Sequence, residues 1–172
     1  MRNLEGGSMY QVGQKIVYGI HGVCSIVDLA EKRIDKKTIC YFVLEPVDQP
    51  GSRYYLPSEN QAALAKIRPL CTKEQLLAML STPISPDIWI QDENKRKQYY
   101  RELICSVDLK AMVDMVRLLR IHRQQQMELG RKFHLCDENF LRDAQRILTT
   151  EIAMVMGIPA DQVDGFLHSS LE

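Results

Sequence analysis

The chain has no net charge, its 22 Lys and Arg being balanced by 22 Asp and Glu. Any hold on a polyanion must therefore come from a local excess of cations rather than from the protein as a whole. It also has no C-x-x-C pair. The five cysteines, at 24, 40, 71, 105 and 136, are widely spaced and odd in number. That argues against a zinc knuckle, a redox motif or a closed disulfide framework, and reads as reduced thiols in a cytoplasmic protein. No apolar run approaches the roughly 18 residues that span a bilayer, and the start lacks a secretory signal pattern. His21 and Cys24 are close enough in sequence to suggest a thiolate pair, but no third orienting group or oxyanion site accompanies them. The expectation is no catalytic residue, no cofactor, no metal and no enzyme activity, with His21 a packed turn residue.

What is present falls into two halves, and 172 residues leave room for one mid-sized domain or two small ones. Residues 1–8 end in Gly6-Gly7-Ser8 before Met9 and read as a loose tail or an appended remnant. From Gln11 to about Ile67 the pattern is short β-branched runs: Lys15 to Tyr18, Val23 to Leu29, Thr38 to Leu44 and Arg53 to Pro57. Charged residues at Glu31 to Lys37 and the Asp48-Gln49-Pro50-Gly51 stretch read as the turns between them. Four or five such strands in so short a stretch predict a small sheet curled into an SH3/Tudor-like barrel over 9–70.

Thr72-Lys73-Glu74-Gln75 reads as a capping box that starts a short helix carrying Leu76, Leu77 and Leu80. Pro83 and Pro86 then mark a stiff linker, so that 71–88 is a helix-and-linker segment. A barrel exchanged between protomers, giving a domain-swapped dimer instead of a monomer, would hinge there.

Beyond the linker the period becomes helical, and 89–172 is predicted to be an all-helical bundle. Ser106 is the expected cap of a helix whose Leu109, Met112, Val113, Val116 and Leu119 form one stripe. Asp137 is the expected cap of a longer one bearing Phe140, Leu141, Ala144, Ile147, Leu148, Ile152 and Val155, which Gly157 ends. Charge is unevenly placed in this half. Residues 94–132 hold ten Lys or Arg against four Asp or Glu, whereas 137–172 hold two against seven. Such a basic block can grip a phosphate backbone, although a solvated helix face is its plain reading.

The opening stretch, Val12-Gly13-Gln14-Lys15-Ile16-Val17-Tyr18-Gly19-Ile20-His21-Gly22-Val23, resembles the start of the CarD/CdnL-type bacterial transcription regulators. It is also similar to the RNA polymerase interaction module of transcription-repair coupling factor. The likeness continues through Tyr41-Phe42-Val43-Leu44 and Tyr54-Tyr55-Leu56-Pro57, and returns thinly at Asn94-Lys95-Arg96, Asp108 to Leu119 and Ala144 to Leu148. The resemblance implies a barrel that contacts the polymerase β subunit with basic residues on adjoining strands and extends that subunit's sheet by edge pairing. One such cation falls on Lys32, with Arg33 adjacent. The other falls on Tyr55, where no cation stands, and Arg53 lies two residues away on the same strand face. The polymerase-binding set expected is thus Lys32, Arg33, Arg53 and Tyr55.

For the helical half the resemblance implies a tryptophan wedge in the minor groove of promoter DNA, flanked by phosphate-holding cations. Trp89 is the candidate, with Lys95, Arg96, Lys97 and Arg101 as the cations. Ile90 to Glu93 separate Trp89 from Asn94, a longer spacing than in the family, and the acidic Asp92 and Glu93 oppose DNA. Contact of this kind would be weakly sequence-specific and strongly salt-dependent. The expected function is regulation of transcription by docking on the polymerase β subunit and stabilising the promoter open complex. The rival is a polymerase- or protein-binding module without DNA contact.

Overall fold

A computed structural model describes residues 9–84 and 88–169. The tail at 1–8, the Ser85-Pro86-Asp87 part of the expected linker and residues 170–172 lie outside the described residues. The chain divides into two compact units, Met1–Leu70 and Cys71–Glu172.

The first unit is a five-stranded antiparallel sheet in the order β4-β3-β2-β1-β5, made of β1 (Lys15–Tyr18), β2 (Val23–Ile34), β3 (Lys37–Pro46), β4 (Tyr54–Pro57) and β5 (Ile67–Pro69). Among the described residues no ladder joins β4 to β5. The helix α1 (Gln61–Leu64), capped by the Asn60 side chain, packs against both. Ile16, Cys24, Ile26, Phe42, Leu44, Leu56 and Ile67 form the core of this unit. Between β1 and β2 the backbone of Gly22 takes φ 68° and ψ −146°, a conformation that a Cβ would penalise.

Two features of the sheet differ from the expected strands. Glu31 to Lys37 is not a loop: β2 runs to Ile34 and returns as β3 through a tight turn in which Asp35 and Lys36 both have positive φ. Two such residues match the right-handed twist of the flanking strands. The other is a bulge. Ile26 pairs with Leu44 and Asp28 with Val43, so Val27 has no partner. One extra residue reverses which side chains face the core. Before the bulge Cys24 and Ile26 point inward. After it Leu29 does, and Asp28, Ala30 and Lys32 share the outer face with Val43, Tyr41 and Ile39.

The second unit is helical: α2 (Lys73–Ser81), α3 (Glu93–Cys105), α4 (Leu109–Glu128), α5 (Leu135–Met156) and α6 (Val163–Ser169), with a 3-10 turn over Ala160–Gln162. The capping box is present, Gln75 donating its N–H to Thr72 Oγ1 at 3.1 Å and its side-chain oxygen accepting from the Thr72 N–H at 2.9 Å. Leu76 and Leu80 are buried in the core formed by α3, α4 and α5, so α2 packs with the helices. Buried charged groups hold both its ends: Glu151 accepts the Cys71 N–H at 3.0 Å, and Arg117 donates to the Thr82 carbonyl at 2.8 Å. The stripe from Leu109 to Leu119 is buried as its spacing requires, and Gly157 ends α5 in the left-handed conformation.

Two caps differ from the expected ones. Asp108, not Ser106, caps α4; Ser106 closes α3 and accepts from the Asp108 N–H. The cap of α5 is His134, and Asp137 lies inside the first turn, 2% exposed. An acceptor two or three residues ahead of the free N–H groups suffices for a cap, so several polar residues can compete for the place.

Candidate functional site

Strand alternation and the Val27 bulge assemble one outer face on β2, β3 and β4, on which Lys32 and Tyr55 are exposed, Tyr41 is half-buried and Val43 is buried. Lys32 pairs in register with Ile39, Tyr41 with Pro57, and Val43 with Tyr55. The Lys32 ammonium lies 3.9 Å from the centroid of the Tyr55 ring and 5.8 Å from that of Tyr41, within cation–π range of both. Arg53, just ahead of β4, approaches Glu45 of the same face at 3.8 Å. Tyr55, which stands where a cation was expected, is a platform for the cation next to it. Three of the four candidate residues, Lys32, Arg53 and Tyr55, therefore share one face. Arg33 does not. It pairs with Thr38, on the side of Leu29 and Phe42, because neighbouring residues of a strand point to opposite faces.

Beneath this surface, Cys24 is fully buried, and desolvation first, then the Asp48 carboxylate, pushes its thiol up to about 12. A nucleophilic thiol needs the opposite shift. The His21 ring packs on Tyr54 at 4.0 Å and on Tyr18 at 4.9 Å.

In the helical unit the candidate cations part company. Arg96 is 6% exposed. Its Nε and Nη2 donate to the two oxygens of Asp137, each at 2.9 Å, and its Nη1 donates to the Ile90 carbonyl at 2.8 Å. Expected to hold a phosphate, Arg96 is instead consumed inside the protein, because a bidentate carboxylate and a carbonyl already occupy the guanidinium fork. Lys97 forms an ion pair with Glu93 one helical turn away. Lys95 and Arg101 are exposed, and among the described residues neither has an ion-pair partner.

Trp89 is half-buried and packs against the helical core. The His122 ring stacks on its indole at 3.8 Å and 20°, and the Arg96 guanidinium carbon stands 4.6 Å from its ring centroid. Phe133 touches His122 at 6.2 Å. Burial lowers the pKa of His122, the Asp137 carboxylate opposing and the Arg96 cation adding to the shift. Burial raises that of the neighbouring Tyr100 to about 12, with Asp137 contributing.

Sequence reasoning missed His122, Phe133 and Asp137 as members of this site. Asp137 lies 41 residues from Arg96, and no local spacing links an α3 arginine to an α5 carboxylate. The available signal was an acidic stretch following a basic one, and it proves to be neutralisation at a distance. Asp137 takes Arg96, Asp164 takes Arg120, and Glu138 approaches Arg123 at 3.8 Å. Among the described residues no group of His, Cys, Asp and Glu could hold a metal, and no helix is long and apolar enough to cross a membrane.

A five-stranded antiparallel sheet with a cation-bearing face, followed by a helical unit, defines the class: a small β domain joined to helices. Residues 10–70 match the family model described as the CarD-like/TRCF RID domain. The β unit is thus similar to the CarD-like RNA polymerase interaction domain, and the match covers this unit alone, residues 10–70 of the chain. No curated protein matches the chain.

Proposed function

We propose that this cytoplasmic chain regulates transcription by docking its β unit on the β subunit of RNA polymerase, and that its helical unit then meets promoter DNA at the upstream edge of the melted region. The observation that carries the docking is the outer face on which exposed Lys32 and Tyr55 meet half-buried Tyr41, beside the edge strand β4. An edge strand offers unpaired backbone groups for sheet extension, and the aromatic-backed cation supplies specificity. The reading gives the chain no catalytic step, in keeping with the raised thiol of Cys24.

Lys95, Arg101 and the half-buried Trp89 are the DNA-facing residues of this reading, with phosphate contacts supplying an affinity that carries little sequence information. Tighter binding to melted than to closed DNA would move the population toward the open complex, since a ligand shifts an equilibrium only by its differential affinity. Co-purification with a β-subunit fragment, together with the lifetime of promoter open complexes, tests both halves. Retention on the fragment and a longer lifetime are expected; no retention would remove the docking, and an unchanged lifetime the mechanism.

One observation favours a second reading, a polymerase-bound protein module without DNA contact. The ion pairs of Arg96, Lys97, Arg120 and Arg123 leave the basic block with far less free charge than its sequence suggests. Salt-titrated binding to a promoter duplex separates the two, because a phosphate-holding protein loses affinity steeply with salt.

A further inference from the structure

We infer that Asp137, acting through Arg96, is a positioning residue that fixes the orientation of the Trp89 indole on the helical unit. The chain of contacts is continuous. The carboxylate of Asp137 grips the guanidinium at two points, and this sets the plane of the fork. The third nitrogen then holds the carbonyl of Ile90, the residue next to Trp89, while the guanidinium carbon lies 4.6 Å from the indole centroid. Backbone and ring are thus fixed by one side chain. His122, stacked at 3.8 Å, and Phe133 behind it limit the ring further.

An apolar pair of similar volume would fill the same space, and buried ion pairs often add little to stability compared with such a pair. What it could not do is hold the Ile90 carbonyl or set a cation against the indole. The geometry therefore points to placement of the ring as the job of this pair. A ring already fixed loses less freedom when it meets a partner, which is how preordering strengthens binding. The inference rests on the DNA reading only for what that partner is.

Trp89 is the single tryptophan of the chain, so its fluorescence reports this site alone. The test uses the full chain carrying Arg96→Met with Asp137→Leu, and separately Arg96→Lys, which keeps a charge for Asp137 but lacks the fork that reaches three acceptors. Both variants should fold, as judged by circular dichroism, with Trp89 emission shifted to the red, acrylamide quenching increased and anisotropy lowered. Their preference for a fork-junction duplex over a fully paired one should fall roughly tenfold.

Folded variants with wild-type emission, quenching and anisotropy would overturn the inference. If the double variant does not fold, the Arg96→Lys protein decides it by the same three signals. If the wild-type chain shows no preference for the fork junction, the DNA reading falls, and the fluorescence signals still decide whether Asp137 and Arg96 place the ring.

Discussion

In the β unit Lys32 lies on the exposed ring of Tyr55, and Arg53 is held only loosely by Glu45. In the helical unit Arg96 is sealed against Asp137, and Arg120 and Arg123 are met by Asp164 and Glu138. The two units are equally dense in cations, with 9 Lys and Arg in residues 1–70 and 13 in residues 71–172. The β unit displays Lys32 and Arg53, whereas the helical unit spends several of its cations on holding itself together. Cation density in a sequence therefore measures what a surface could carry, and the pairing of each cation decides what it does carry.

The sharpest way to break this comparison is at Asp137. Replacing it by Ala leaves the Arg96 charge buried without a partner and should cost the helical unit about 3–5 kcal/mol in urea unfolding, whereas the Arg96→Met/Asp137→Leu pair should come close to neutral. Equal losses in the two proteins would mean that the ion pair is not the element at stake. Next in size is the β unit. Tyr55→Ala should weaken binding to a β-subunit fragment by about 2 kcal/mol, as for an aromatic anchor at the centre of an interface. Its unfolding free energy should stay within about 0.5 kcal/mol, because the ring is exposed. Lys32→Ala should follow in the same direction, and Arg33→Ala, on the other face, should leave binding unchanged. An Arg33 effect as large as that of Lys32 would contradict the face set by the bulge.

A smaller effect is expected from the exposed cations of the helical unit. Lys95→Gln and Arg101→Gln should each lower the salt slope of DNA affinity by about one, while Lys97→Gln, whose charge Glu93 already meets, should lower it less. The smallest effect is a pH dependence. His122 has its pKa lowered in the folded state by burial, so the unfolded chain takes up the proton more readily. Stability of the helical unit should rise with pH from the depressed value up to about 6.5, the ordinary value for histidine, and be flat above it. His122→Gln should remove that slope in urea unfolding measured across the same range, and a slope that persists would assign it to another group.

Local rules carried a good deal of this structure. The Thr72–Gln75 box, the stripe from Leu109 to Leu119 and the stop at Gly157 each depend on residues within a turn or two of one another, so spacing alone reveals them. The caps at Ser106 and Asp137 were misplaced for a local reason too, since Asp108 caps as well as a serine does and the His134 ring accepts the Cys136 N–H ahead of Asp137. Lys32, Arg53 and Tyr55 stay on the surface, as their strand positions imply. Arg96 does not, because its partner comes from another helix.

By itself the sequence determined that a short-stranded β unit precedes a helical one, that the first resembles a CarD-like domain, and where α2 begins and α5 ends. The order of the units and the helix limits follow from periodicity, capping and glycine placement, which act over a few residues. Tertiary structure alone decided that Lys32 and not Arg33 stands beside Tyr55, because the unpaired Val27 reverses the facing of β2 against its neighbour. It also decided that Arg96 holds Trp89 from within. A guanidinium takes whichever acceptors the fold brings to its fork, and here they are an α5 carboxylate and the carbonyl of Ile90.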